Sequence, residues 1–339
     1  MNDIIAAADL TPKDFISDQE VRWCPGCGDY AIVKSVRKAL AEIGTPTENV
    51  VFVSGIGCAA RFPYYMATYG FHTIHGRAPA FATGVKLANP ELDVWVVGGD
   101  GDMLSIGGNH TLHALRRNID LNILLFNNEI YGLTKGQFSA SADIGSKSKK
   151  GEVNQQGPID PVNVALTLGA TFVARSFSGD KQQLIPILKA AFAHKGFAFV
   201  DVISPCVTFN DHVGSTKSYA YTRVHSQEVI ETDFVPLRRE IKTKYDKGTT
   251  RAVKLHDGST VHLSKVSEDY DPTDRRAVIE YLGGVVAKGQ VPTGLLYLAE
   301  GGHDMHEFEG TVEKPLVDIP YGDLCPGSEA LADLQKEWW

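Results

Sequence analysis

The sequence predicts a doubly wound α/β domain with a mostly parallel sheet, followed by a C-terminal extension. Six short apolar runs in the first two thirds of the chain are hydrophobic on both faces. Strands of a parallel sheet covered by helices have that pattern. Amphipathic stretches of helical length separate several of these runs, and such alternation builds βα units. Beyond about Tyr221 the alternation fades.

In chain order, strands are expected over 50–53, 71–74, 93–97, 121–126, 171–174 and 197–203. Helices are expected over 29–40, 106–117, 161–168 and 181–194. Pro161 suits a first helical turn because its φ is already helical, and Gly169 is a natural stop. Segment 139–157 is polar, contains glycine and carries Lys147, Lys149 and Lys150, so it reads as a long mobile loop. After Tyr221, 252–266 reads as a hairpin turning at Asp257-Gly258, and a helix runs over about 274–287. From Gly301 onward there is no clear period. The expected division is a domain over 1–220 and an extension over 221–339 that serves subunit contact.

Composition narrows the function. The chain has 339 residues, 43% of them hydrophobic and 22% charged, which is ordinary for a soluble globular protein. A net charge of −8 argues against nucleic acid, whose phosphates call for a basic surface. The apolar runs are far too short for a membrane span. The N-terminal stretch lacks a cationic start followed by an apolar core, so no export signal and a cytoplasmic location are expected. The five cysteines are an odd number and include Cys24-Pro25-Gly26-Cys27. In a reducing compartment that pattern reads as metal or redox chemistry and not as disulfides.

The strand ending at Val97 runs into Gly98-Gly99-Asp100-Gly101-Asp102. Glycines let the backbone turn tightly and approach a ligand, and a following helix presents free N–H groups to an anion. The next strand ends in Asn127-Asn128-Glu129-Ile130-Tyr131-Gly132. Adjacent parallel strands would bring Asp100 and Asn128 to one sheet edge. The Asp100 carboxylate, the Asn128 side-chain carbonyl and the Ile130 backbone carbonyl then offer three oxygens to a hard cation. Two diphosphate oxygens and a water would complete the octahedron that Mg²⁺ demands. The Gly-Asp-Gly and Asn-Asn elements span thirty residues, Gly99 to Asn128, and in this order and spacing they resemble the thiamine diphosphate signature. A strand-end turn beside an unrelated polar strand terminus is the plainer reading of either element alone.

Cys24 and Cys27 sit in a loop before a helix, Cys58 just after a strand in Ser54-Gly55-Ile56-Gly57-Cys58, and Cys206 just after another. Four thiolates at sheet ends can converge on one metal centre. The residues themselves admit zinc or a 4Fe–4S cluster, since both accept four cysteines. Cys58 and Cys206 could also be ordinary core thiols.

Five motifs occur in one order: Cys-Pro-Gly-Cys-Gly, Ser-Gly-Ile-Gly-Cys, His-Gly-Arg-Ala at 75–78, Gly-Gly-Asp-Gly-Asp, and Asn-Asn-Glu-Ile-Tyr-Gly-Leu-Thr-Lys-Gly-Gln. Together they resemble the β subunit of 2-oxoacid:ferredoxin oxidoreductases, most closely the 2-oxoglutarate type, over about residues 20–215. The resemblance implies a thiamine diphosphate-binding fold in which Cys24, Cys27, Cys58 and Cys206 hold one 4Fe–4S cluster. It implies Asp100, Asn128 and Ile130 as Mg²⁺ ligands. Thiamine diphosphate would touch Ile56, Gly57, Cys58 and Ala59, then His75, Gly76, Arg77 and Ala78, and also Gly101, Asp102, Gly132 and Leu133. The implied reaction is reversible: 2-oxoglutarate and coenzyme A give succinyl-CoA and CO₂, with electrons passing to ferredoxin. Pyruvate or another 2-oxoacid stays open as substrate, because the family shares these motifs.

Thiamine enzymes also need a glutamate at the aminopyrimidine ring, supplied by a second α/β domain. After residue 215 this chain has too few strand–helix units to build one. An α subunit carrying that glutamate is therefore expected, in an αβ or (αβ)₂ assembly, and no catalytic residue is assigned to this chain itself. Arg77 is the candidate for a substrate carboxylate, which a guanidinium binds bidentately. Lys135 is placed for the acyl or coenzyme A site, or is a solvated lysine. The lysines at 147, 149 and 150 would steer ferredoxin or coenzyme A phosphates, or simply solvate a loop. The pairs His110/His113 and His303/His306 read as polar edges before metal ligands. Cys325 matches no motif and reads as a tail thiol. A non-oxidative thiamine enzyme would need a longer chain with its own glutamate domain. A non-enzymatic zinc-stabilised subunit would leave Asp100 and Asn128 unexplained.

Overall fold

β-Branched and aromatic runs build one eight-stranded sheet in the computed structural model, which describes residues 10–230, 250–254, 260–264, 270–299, 303–325 and 327–338. The first strands are β1 (Val50–Ser54), β2 (Tyr69–His72), β3 (Asp93–Gly99) and β4 (Asn122–Asn127). A small antiparallel pair follows, β5 (Ile130–Tyr131) and β6 (Gln137–Phe138). Next come β7 (Phe172–Phe177), β8 (Ala198–Ile203) and β9 (Ser226–Ile230). The last are β10 (Thr250–Lys254), β11 (Thr260–Ser264) and β12 (Val291–Leu298). The main sheet runs β2-β1-β3-β4-β8-β7-β12-β9. Its first six strands are mutually parallel; β12 is antiparallel to β7, and β9 pairs with it in parallel.

Helices α1 (Asp29–Ile43) and α5 (Lys181–Ala193) cover one face; α2 (Ala78–Ala88), α3 (Gly108–Arg116), α4 (Pro161–Leu168) and α6 (Arg275–Ala287) cover the other. Strand alternation divides the side chains between the two layers. Val51, Val53, Ile123 and Leu125 pack toward Ala82, Leu115 and Leu166, while Phe52, Trp95, Leu124 and Phe126 pack toward Val36, Leu40 and Leu188. The expected mostly parallel α/β architecture is present.

Three differences from the expectations have local causes. The sequence predicts no helix over α2, because its Ala-Pro-Ala-Phe-Ala-Thr-Gly run buries Ala78, Pro79 and Ala82, too small to stand out as a periodic stripe. The helix expected over 106–117 is present as α3, preceded by an unexpected π-helical turn, Gly101–Ile106. The sheet also does not end near residue 220: β9 and β12 extend it past β7. Pro292 and Gly294 disguise β12 in the sequence, and its register shifts near both Gly294 and Leu295. The expected hairpin is present as β10–β11, though its turn at Asp257-Gly258 lies outside the described residues. Among the described residues no helix is long and apolar enough to cross a membrane.

One buried ion network ties the sheet to α4. Arg175 on β7 pairs with Asp201 on the neighbouring β8 at 2.6 Å and with Asp160, the N-cap of α4, also at 2.6 Å. Burial alone would raise the Asp160 carboxyl, but the Arg175 guanidinium outweighs it and holds the group below the usual carboxylate range. Replacing Arg175 with methionine strands Asp201, whose Oδ1 already lacks a partner. Removing one member of a buried pair costs about 3–5 kcal/mol. Because the Asp160 side chain is 30% exposed, a loss of about 3 kcal/mol is expected for Arg175→Met, measured by urea unfolding.

Candidate functional site

In an open α/β sheet, ligands gather beyond the carboxyl ends of the strands. Here the loops leaving β1, β2, β3 and β4 meet there in one cleft. It is lined by Ile56, Gly57, Cys58 and Ala59 after β1, His75 after β2, and Gly99, Gly101 and Asp102 at the end of β3. Asn128, Ile130, Tyr131, Gly132, Leu133 and Thr134 line it from the β4 side. The cleft encloses only about 40 Å³, whereas pockets for drug-sized ligands run roughly 300–1,000 Å³. This chain forms one wall of a site for any ligand of that size.

Asp100 leaves β3 into the π-helical turn and is fully buried. Its Oδ2 accepts from Ser139 Oγ and, at 2.5 Å, from Ser141 Oγ. Its Oδ1 has no partner. Burial pushes this carboxyl up, and the two serines pull it partly back. A buried acceptor left unpaired is costly, so the orphaned oxygen fits a cation site. Parallel pairing of β3 with β4 sets Asp100 near Asn128. Asn128 Oδ1 accepts from Ile130 N at 3.1 Å and keeps a second lone pair. Glu129, between them, has φ 67° and is buried. Burial raises its carboxyl, and Lys217 offsets part of that.

Asp102 joins three loops. Its Oδ1 accepts from Ile56 N at 3.2 Å, Gly76 N at 2.8 Å and His75 Nδ1. This holds the His75 ring by Nδ1 and leaves Nε2 as its other ring nitrogen. Burial raises the Asp102 carboxyl, and these backbone donors and His75 lower it. Close backbone approach is required around this hub. Gly76 has φ 72°, and a Cβ there would sit 2.6 Å from Gly107 N. Tyr131 Oη donates to Gly101 O at 3.0 Å, closing the cleft floor.

The thiols of Cys24, Cys27, Cys58 and Cys206 face a common region. Burial, Asp29 and then Cys206 raise Cys27, while burial, Asp29, Cys206 and Cys24 push Cys58 up to about 11. Four free thiols this close suit a cationic centre that would take them as thiolates. A Cβ on Gly132 would lie 3.4 Å from Cys58 Sγ and 3.9 Å from Cys206 Sγ. Gly132 also lines the cleft, so thiols and cleft share a wall. Among the described residues no three His, Cys, Asp or Glu are grouped to hold a single metal ion.

Other expected residues stand apart from the cleft. Gly76 and Ala78 are buried behind it. Arg77 is half-buried and donates to His75 O at 3.2 Å and Ile106 O at 3.5 Å. Lys135 is exposed with φ 79°. His303 pairs with Glu307 at 2.8 Å, and His306 Nδ1 meets Thr311 Oγ1 at 3.0 Å. Cys325 is exposed. The segment 139–157 is not a free loop. Asn154 Nδ2 holds Ala142 O, Asp143 O and Gln156 O, and the segment delivers Ser139 and Ser141 to Asp100. Its three lysines are exposed. Neither serine stands out in the sequence, and no local spacing links them to a residue some forty positions earlier.

Residues 55–202 match the family described as thiamine pyrophosphate enzyme, C-terminal TPP binding domain. The chain is 37% identical over 305 residues to the 2-oxoacid:ferredoxin oxidoreductase subunit beta of Saccharolobus solfataricus, covering 88% of this chain and 93% of that one. It is 58% identical over 200 residues to the 2-oxoglutarate oxidoreductase subunit KorB of Mycobacterium tuberculosis. That match covers 59% of this chain and only 54%, about half, of the relative. Among solved structures, the 2-oxoglutarate:ferredoxin oxidoreductase from Magnetococcus marinus, with 2-oxoglutarate, coenzyme A and succinyl-CoA bound, superposes with a TM-score of 0.74. Identity there is 32%, over 94% of this chain and 96% of that one.

Proposed function

The chain belongs to the β subunits of the 2-oxoacid:ferredoxin oxidoreductases, and we propose that it serves an enzyme converting 2-oxoglutarate and coenzyme A to succinyl-CoA and CO₂, reversibly, with electrons passing to ferredoxin. The observation that carries the reading is the orphaned Asp100 Oδ1, buried beside Asn128 at the edge of a cleft that Cys58 also lines. An α subunit would close the cleft and bring the activating glutamate. The enzyme would work in the cytoplasm, where the thiols stay reduced.

When bound, thiamine diphosphate supplies the electron sink for decarboxylation, Mg²⁺ anchors its diphosphate, and a 4Fe–4S cluster takes single electrons. Asp100, Asn128 and Ile130 would hold the Mg²⁺, and Cys24, Cys27, Cys58 and Cys206 the cluster. Asp102 keeps His75 and the Gly76 turn fixed against the cofactor wall. Ile56 and Leu133 line the cleft as large, exposed apolar side chains and would shield a bound cofactor from water. Arg77 would reach a substrate carboxylate by leaving its two backbone carbonyls, and Lys135 stands outside the cleft for the acyl or coenzyme A end.

The test is a visible spectrum of the chain co-purified anaerobically with its α subunit. A brown protein is expected, whose absorption near about 400 nm, typical of oxidised clusters, bleaches on adding 2-oxoglutarate with coenzyme A. Bleaching with pyruvate alone would keep the chemistry and change the substrate. A colourless, zinc-containing preparation would overturn the redox reading.

A further inference from the structure

The turn after Cys206 reaches the cation loop through one side chain. Asn210 is buried, and its backbone N–H donates to Cys206 O at 2.8 Å, closing the turn on the cysteine. Its side-chain Nδ2 carries two hydrogens. One goes to Asn128 O at 3.0 Å and the other to Glu129 Oε2, also at 3.0 Å.

Glu129 needs this support. A non-glycine residue at positive φ is disfavoured and persists where its surroundings over-determine it. Its other oxygen is held by Thr216 Oγ1 at 3.1 Å and Lys217 Nζ at 3.3 Å. With Glu129 drawn away from the cleft, its neighbours Asn128 and Ile130 both line it. Resting on the proposal that Asp100, Asn128 and Ile130 hold Mg²⁺, we propose that Asn210 is a positioning residue for the cation loop. It makes the turn after Cys206 and segment 128–130 one mechanical unit. Displacing the cysteine turn then displaces the oxygens offered to the cation.

The test uses the αβ holoenzyme, purified anaerobically, with Mg²⁺ titrated at saturating thiamine diphosphate and read by the cofactor-induced change in tryptophan fluorescence. In Asn210→Ala the half-saturating Mg²⁺ is expected to rise about tenfold, the scale of a lost pair of buried hydrogen bonds. Excess Mg²⁺ should then return turnover toward the parent value, with the KM for 2-oxoglutarate and the visible cluster absorption unchanged. Lys217→Met, which loosens Glu129 from the opposite side, should shift the titration in the same direction, and it decides the matter if Asn210→Ala does not fold. An unchanged Mg²⁺ requirement in whichever variant folds would overturn the role of Asn210 and leave the cation site standing. A parent enzyme with no Mg²⁺ requirement would overturn the cation site itself, and the role of Asn210 with it.

Discussion

If Asp100 holds Mg²⁺ as proposed, Asp100→Asn is expected to lower turnover by on the order of a thousandfold, because it removes the charged oxygen from the proposed cation site while keeping its shape. Losing a partner of a metal ligand typically costs 10–100-fold, and losing a carboxylate ligand itself should cost more. The serines at 139 and 141 can still hydrogen-bond an amide, so the loop should keep its fold. The diagnostic is stability. Asp100 is buried with one oxygen unpaired, and burial works against its charge. The cofactor-free variant should therefore melt no lower than the cofactor-free parent, while thiamine diphosphate and Mg²⁺ no longer raise its melting temperature. A variant that melts clearly lower would mean Asp100 is structural and the site lies elsewhere.

Cys58→Ser is the second large effect. Its thiol stands at the wall common to the cleft and the other cysteines. Serine keeps the volume but is a poor ligand for iron. In the enzyme proposed above, ferredoxin reduction should fall by at least about a hundredfold, together with the expected brown absorption, while the chain stays paired with the proposed α subunit. Cys325→Ser, altering an exposed thiol, should change neither. If Cys58→Ser kept its colour and its rate, the four-cysteine assignment would have to be redrawn.

Much of the frame is legible in the sequence because its signals are local. Pro161 and Gly169 bound α4 as expected, and uninterrupted apolar runs mark the parallel strands. Asp100 and Asn128 can be paired because each follows a strand and adjacent parallel strands share an edge. Two elements are hidden by composition: α2 by its small residues, β12 by Pro292 and Gly294. The supports of the site are hidden for another reason. Ser139 and Ser141 on Asp100, and Asn210 and Lys217 on Glu129, are contacts between distant loops that leave no period and no fixed spacing. Asp102 is legible as a contact residue, but its role as a three-loop hub depends on where the chain brings Ile56 and Gly76.

The single-walled cleft has a thermodynamic consequence. With about 40 Å³ enclosed, the cleft leaves contacts open for the proposed cofactor and the proposed α subunit alike, and each would complete part of the other's site. Linkage makes the effect reciprocal: the factor by which the cofactor tightens assembly equals the factor by which assembly tightens the cofactor. Dilution that separates the two proposed chains should therefore weaken cofactor retention, and added cofactor should lower the concentration at which they separate.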